Sequence, residues 1–141
     1  MWICDTCGKG INSVDEAWLE WVTCEKEQEK FRNKGFNPVR IVHQVKASPR
    51  GSCYSVASCG GHLCQYVGND GLINLLELIS IGNIPMEEGF EVIKRIFIPG
   101  YEQARSYFAE AINAGVFEPN TKEGYYNTRE IEATLEYIKN K

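Results

Sequence analysis

The distribution of cysteines restricts the fold of this chain more than any other feature of its sequence. All six lie within the first 64 of 141 residues: Cys4, Cys7, Cys24, Cys53, Cys59 and Cys64. The start of the chain has neither the basic nor the apolar segment of a secretory signal, so we expect a soluble, cytoplasmic protein with reduced thiols. Reduced cysteines at short spacing favour a metal site over a disulfide framework.

The first two cysteines form a Cys-x-x-Cys-Gly motif within "WICDTCGKGI", residues 2–11. Two intervening residues let both sulfurs reach one metal ion, and the glycine permits a tight turn whose amides point at the sulfurs. A thioredoxin-like redox pair has the same spacing but normally lies between a strand and a helix. Because no helix is predicted directly after Cys7, the motif predicts one half of a zinc site.

The remaining ligands must come from elsewhere in the cysteine-rich part of the chain, where the candidates are His43, Cys53, Cys59, His62 and Cys64. The turn-forming segment "KASPRGS" is centred near residue 48, and His43 and Cys53 are symmetric about that position. In an antiparallel hairpin such residues lie opposite each other. We therefore predict a structural Zn²⁺ held by Cys4, Cys7, His43 and Cys53, with Cys64 as the reserve ligand.

The pattern of apolar residues changes from strand-like to helical along the chain. "EAWLEWVTC" (16–24), "VRIVHQV" (39–45) and "CYSVA" (53–57) are typical of short strands. After Ser58 the apolar spacing indicates about four helices, one of them in "PGYEQARSYFAEAINAG" (99–115) and the last opening with a capping-box-like Asn127-Thr128-Arg129-Glu130. We expect an α+β fold: a zinc-ribbon-like, three-stranded antiparallel meander (1–57) packed against the helices (58–141) in one compact domain.

The central part of the chain is basic although the net charge is −4. Residues 30–69 contain six basic side chains and no acidic one, and aromatic residues are interleaved with them. Such a surface suits phosphates and stacked bases, although dedicated nucleic-acid binders are usually basic overall. A protein partner with an acidic patch fits equally well. The predicted binding surface consists of Arg32, Lys34, Arg40, Lys46 and Arg50.

Several segments together resemble a family of small uncharacterised bacterial and phage proteins with an N-terminal Cys-x-x-Cys-Gly zinc knuckle. The matching segments, in chain order, are "WICDTCGKGI", "AWLEWV", "RIVHQV", "DGLINLLELI" and "IPGYEQARSYFAEAINAG". The resemblance implies metal ligation by Cys4, Cys7, His43 and Cys53, and it implies no activity. Relative to this family, Cys24, Cys59 and Cys64 look like additions.

The sequence offers little that points to catalysis. It has only two histidines, its glycine-rich segments lack the spacing of a phosphate-binding loop, and Asp5 is expected to be a polar spacer. We therefore expect a non-catalytic, zinc-stabilised interaction protein with a protein partner or self-association. The alternatives are nucleic-acid binding through the basic segment and redox sensing through the additional cysteines. No membrane association is expected, because the longest apolar run is short and interrupted.

Overall fold

A computed structural model describes residues 1–49, 51, 53–54 and 59–141 of the chain. The fold is α+β, as predicted, and the chain groups into two compact units, Met1–Phe97 and Ile98–Lys141. The predicted division after residue 57 falls outside the described residues. The two helices that follow it belong to the same unit as the strands.

The described part of the first unit contains two small antiparallel sheets. In one, β1 (Trp2–Ile3) pairs with β2 (Gly10–Ile11), and the loop between them carries the Cys-x-x-Cys motif. In the other, β3 (Ala17–Trp21) is the central strand, with β4 (Val39–His43) on one side and β5 (Cys59–His62) on the other. Both neighbours run antiparallel to β3.

This strand order corrects the predicted meander, in which the second strand of the chain would be central. The loop between β1 and β2, which carries Cys4 and Cys7 and is called the cysteine loop below, lies along the edge of β4 that faces away from β3. There the Asp5 N–H donates to the Ile41 carbonyl over 2.9 Å. The third strand therefore pairs with β3 instead. It also begins later than predicted: Cys53 and Tyr54 are not in a strand, and residues 55–57 lie outside the described residues.

Helices complete the first unit: α1 (Glu25–Asn33), α2 (Gly68–Ser80) and α3 (Met86–Phe97). Leu75 of α2, Val92 of α3 and Ile84 between them join the core that the sheets form. Helices α2 and α3 approach closely at Gly89, where an added Cβ would lie 2.6 Å from the side chain of Ile79. Glycine at this position therefore lets the two helices pack without displacing that side chain.

The second unit is helical: α4 (Tyr101–Ala104), a 3-10 turn (Arg105–Tyr107), α5 (Phe108–Asn113) and α6 (Thr128–Lys139). The helix predicted across this region is thus interrupted by the 3-10 turn. The ring of Phe108 lies 4.6 Å from Tyr126 and 5.7 Å from Tyr101, centroid to centroid. The predicted capping box is confirmed, because the Asn127 side chain accepts from the Glu130 N–H and the Glu130 carboxylate accepts from the Asn127 N–H.

None of the helices in the described ranges combines the length and apolar character that crossing a membrane requires.

Candidate metal centre

The structure brings the four predicted ligands together. The donor atoms of Cys4, Cys7, His43 and Cys53 all lie within 4.8 Å of one another. Three of these residues are almost fully buried, with 1% (Cys4), 3% (His43) and 2% (Cys53) exposure, whereas Cys7 is half-buried. Within the described ranges, no other group of three or more histidine, cysteine or acidic residues is arranged in this way. The residues present therefore fit a single metal ion.

The cysteine loop has the conformation that its sequence predicts. The Cys4 N–H donates to the Lys9 carbonyl and the Gly8 N–H donates to the Cys4 carbonyl, each over 2.9 Å. The Thr6 N–H points at the Cys4 sulfur at 3.4 Å. Gly8 has a φ of +75°, in the left-handed region that glycine adopts without strain. These backbone contacts turn the loop so that both sulfurs face the same point.

His43 ends strand β4 and presents its two ring nitrogens to different partners. Nδ1 lies 3.5 Å from Cys7 Sγ, and Nε2 lies 3.1 Å from the Gly10 carbonyl oxygen. Two ligands of a tetrahedral zinc ion with ordinary Zn–N and Zn–S bond lengths are separated by about 3.6 Å. A metal bound at Nδ1 would leave the proton on Nε2, which would donate it to Gly10 and fix the ring.

Cys53 reaches the site through a turn rather than through the predicted hairpin pairing with His43. A 3-10 turn (Val45–Ala47) follows β4, and the Gly51 N–H donates to the Ser48 carbonyl over 3.1 Å. The hydroxyl of Ser48 accepts from the Cys53 N–H over 3.2 Å. The hydrogen bond to the Ser48 side chain thus takes the place of the backbone hydrogen bonds expected for a hairpin, and serine often forms such bonds in turns. The two ligands meet, but not as opposite residues of a ladder.

The pKa values of two thiols in the site are shifted in opposite directions. Burial, together with the neighbouring Cys4, raises the pKa of Cys53 to about 11, although the hydrogen bond from Ser48 opposes this. Burial acts in the same direction on Cys7, but the Lys9 backbone and hydrogen bonds with Cys4 and Cys53 outweigh it and lower the pKa of Cys7. Three thiolates at this spacing repel one another, so a bound cation is what permits all three to lose their protons.

Asp5 connects the cysteine loop to other parts of the first unit and is not the polar spacer that the sequence suggests. Its Oδ2 accepts from the Ile41 N–H over 2.8 Å and from Arg95 Nη1 over 2.7 Å. The side chain of Arg95 in α3 is 1% exposed, and its Nη2 also donates to the Ile3 carbonyl. No local sequence signal reveals this contact, because the two residues are 90 positions apart.

The additional cysteines do not take part in the site. Cys24 and Cys64 are exposed and Cys59 is half-buried, and none of the three, all in the described part of the chain, belongs to the ligand cluster. Cys64 therefore does not replace Cys53 as the fourth ligand in this arrangement. His62 is exposed and lies against the ring of Trp18 at a centroid distance of 5.1 Å.

The predicted basic surface is reduced in the structure. Arg40 is buried at 6% exposure, and its Nη1 lies 3.5 Å from the carboxylate of Glu20. The prediction that Arg40 belongs to the binding surface is therefore wrong. The reason is register: Glu20 and Arg40 are directly paired across β3 and β4. Arg32 forms an ion pair with Glu88 over 2.7 Å. Lys34 and Lys46 are exposed, and Arg50 lies outside the described residues.

Comparison of the chain with protein-family models, with curated proteins and with solved structures finds no match. The resemblance to a family of zinc-knuckle proteins therefore stays a prediction. The chemistry of the site is inferred from its own geometry.

Proposed function

We propose that this chain is a non-catalytic interaction protein whose first unit is stabilised by one structural Zn²⁺. The observation that carries the proposal is the convergence of Cys4, Cys7, His43 and Cys53, with all donor atoms within 4.8 Å. Three thiolates and one imidazole are donors that zinc prefers, and they complete a tetrahedral shell. Hard cations such as Mg²⁺ and Ca²⁺ select oxygen ligands instead.

A structural role is favoured over a catalytic one because the site is closed. Four protein donors leave no coordination position for a water molecule, which a catalytic zinc requires. Asp5, the acid between the two loop cysteines, is held by Arg95 and by the Ile41 N–H. Its carboxylate is therefore committed to structural contacts and is not placed to act as a base.

The ion would join three segments, of which only β4 is a strand of more than two residues. These are the β1–β2 loop with Cys4 and Cys7, the end of β4 with His43, and the turn that carries Cys53. Strands of two residues, such as β1 and β2, contribute little independent stability. Metal binding then supplies part of the folding free energy of this unit.

The structure favours a protein as the class of partner. Two of the predicted basic side chains, Arg32 and Arg40, are occupied in ion pairs, which weakens the case for phosphate binding. Helix α2 exposes apolar side chains instead, with Ile73 at 63% and Leu76 at 43% exposure. Exposed apolar residues that lie close together are a feature of protein-binding surfaces.

The test is the metal content of untagged protein purified without added metal. We expect roughly one zinc per chain in the wild type, and loss of zinc together with soluble expression in Cys4→Ser and Cys53→Ser. Cys64→Ser is the matched control, because this cysteine is exposed and lies outside the cluster. It should keep its zinc.

Two results would contradict the proposal in different ways. A wild-type protein without metal and with freely titratable thiols would remove the zinc site altogether. Zinc retained by Cys53→Ser but lost by Cys4→Ser would keep the cysteine loop as a metal ligand and assign the fourth position to another residue.

A further inference from the structure

We propose that Thr6 is a positioning residue that holds the two halves of the metal site together. This inference rests on the proposed zinc site and goes beyond it. Thr6 lies between the two cysteines of the motif, a position that metal ligation itself leaves free to vary. Its role is to hold the turn that carries Cys53 against the loop that carries Cys4 and Cys7.

The hydroxyl of Thr6 makes two contacts of opposite kind. Its Oγ1 donates to the carbonyl oxygen of Cys53 and accepts from Nη2 of Arg40. A hydroxyl has one proton to donate and lone pairs to accept, so both bonds form at once. The Thr6 backbone N–H meanwhile points at the Cys4 sulfur at 3.4 Å. One residue therefore contacts a ligand in each half of the site.

Arg40 gives the Thr6 hydroxyl a fixed orientation. The guanidinium is held by Glu20 at 3.5 Å and lies 5.5 Å from the centroid of the Phe36 ring. Its backbone belongs to β4, which is paired with β3 along five residues. Because Arg40 can only donate, it directs the single proton of Thr6 away from itself and toward Cys53.

This contact matters because none of the described residues between β4 and Cys53 belongs to a strand. The Ser48 hydroxyl holds its N–H, and Thr6 holds its carbonyl, so both backbone polar groups of Cys53 are fixed. A ligand held by such bonds loses less conformational entropy when the ion binds. Removing partners of this kind from metal sites typically weakens metal affinity by about ten- to a hundredfold.

The test compares Thr6→Val with Thr6→Ser by zinc competition against a chromophoric chelator under reducing conditions. Valine keeps the shape of threonine but removes the hydroxyl, and we expect zinc affinity to fall about ten- to a hundredfold. Serine keeps the hydroxyl and should bind zinc like the wild type. Thr121→Val in the second unit is the control, because it removes a comparable bond from a threonine hydroxyl to the Tyr125 carbonyl.

The outcomes separate this role from the zinc site itself. No zinc binding by the wild type would overturn both the site and the role of Thr6. Wild-type affinity in Thr6→Val, or equal weakening in Thr6→Ser and Thr6→Val, would overturn the role alone, because the hydroxyl would then make no difference.

A second variant, Thr6→Ala, covers the case in which Thr6→Val does not fold, because it removes the hydroxyl and places a smaller side chain in the loop. We expect its zinc affinity to lie about ten- to a hundredfold below that of Thr6→Ser. Equal zinc affinity of these two variants would overturn the proposal.

Discussion

Each of the two units, Met1–Phe97 and Ile98–Lys141, is stabilised internally, and the contacts inside them differ in sequence separation. In the first unit, contacts connect distant parts of the chain, such as the ion pair between Asp5 and Arg95 across 90 positions. All six cysteines lie in this unit. In the second, aromatic rings on neighbouring helices and turns form the core, with Phe108 against Tyr101, Phe117 and Tyr126.

The difference shows two ways in which a short segment becomes stable. Helices form from local hydrogen bonds and need only one apolar face to pack. Loops that approach one another from distant positions have high conformational entropy, and a metal ion with four protein ligands offsets that cost in one step. We therefore expect the two units to respond differently to the same treatments.

Metal removal should have the largest effect and should act on the first unit. With a strong chelator and a reducing agent, amide hydrogen exchange should increase sharply in residues 2–11 and 39–49, because structural zinc contributes on the order of 10 kcal/mol in small domains. Residues 101–139 should change little. Equal acceleration of exchange in both units, or none in the first, would contradict this difference between the units.

Phe108→Ala should have the next largest effect and should act on the second unit. The ring is buried at 6% exposure and contacts three other aromatic rings, so its loss should lower the free energy of unfolding by about 4 kcal/mol. Urea denaturation with hydrogen exchange measures this loss. Zinc stoichiometry should stay at the wild-type value, and a parallel loss of zinc would show that the two units depend on each other.

Arg95→Met should destabilise the first unit somewhat less. Methionine preserves much of the apolar volume but leaves the Asp5 carboxylate without its cation, at a cost of about 3 kcal/mol in the free energy of unfolding. Chemical denaturation checks this value. Arg129→Met is the control, because Arg129 is exposed in the second unit and should change stability by less than about 0.5 kcal/mol. Similar values for both variants would mean that the Asp5–Arg95 contact contributes nothing specific.

The smallest expected effect is a pH dependence in the second unit. Hydrogen bonds from Lys141 and Tyr137 lower the pKa of Glu110 below its ordinary value of 4.5. A lowered folded pKa means that the stabilisation is complete above the ordinary value and is lost as the pH falls through the folded pKa. The stability difference between the wild type and Glu110→Gln should therefore shrink as the pH falls below about 4.5. A difference that stays constant with pH would exclude this contribution.

The local features of the chain could be predicted because they depend on neighbouring residues. The spacing of Cys4 and Cys7 with Gly8 fixes one half of the ligand set, and the capping box at Asn127 fixes the start of α6. The helix predicted within residues 99–115 is present from Tyr101, but a 3-10 turn breaks it. Such a break depends on packing between elements and leaves no mark in the apolar spacing.

Contacts between distant segments could not be predicted from patterns in the sequence. The burial of Arg40 depends on its pairing with Glu20 of β3. The ion-pair partner of Asp5 is Arg95, in a helix near the end of the first unit. The sequence motif has the same letters whether Asp5 and Thr6 are solvated spacers or structural contacts. Only their partners distinguish the two cases.

The sequence by itself determined the chemistry that this protein can use: three thiols and an imidazole, a basic centre, and helices in the second half. The tertiary structure decided which of these groups meet. β3 is the central strand because the cysteine loop lies along the other edge of β4. Cys53 lies at the site because Ser48 and Thr6 form hydrogen bonds with its backbone. Pairing between strands and hydrogen bonding between loops depend on positions in space, which spacing along the chain does not encode.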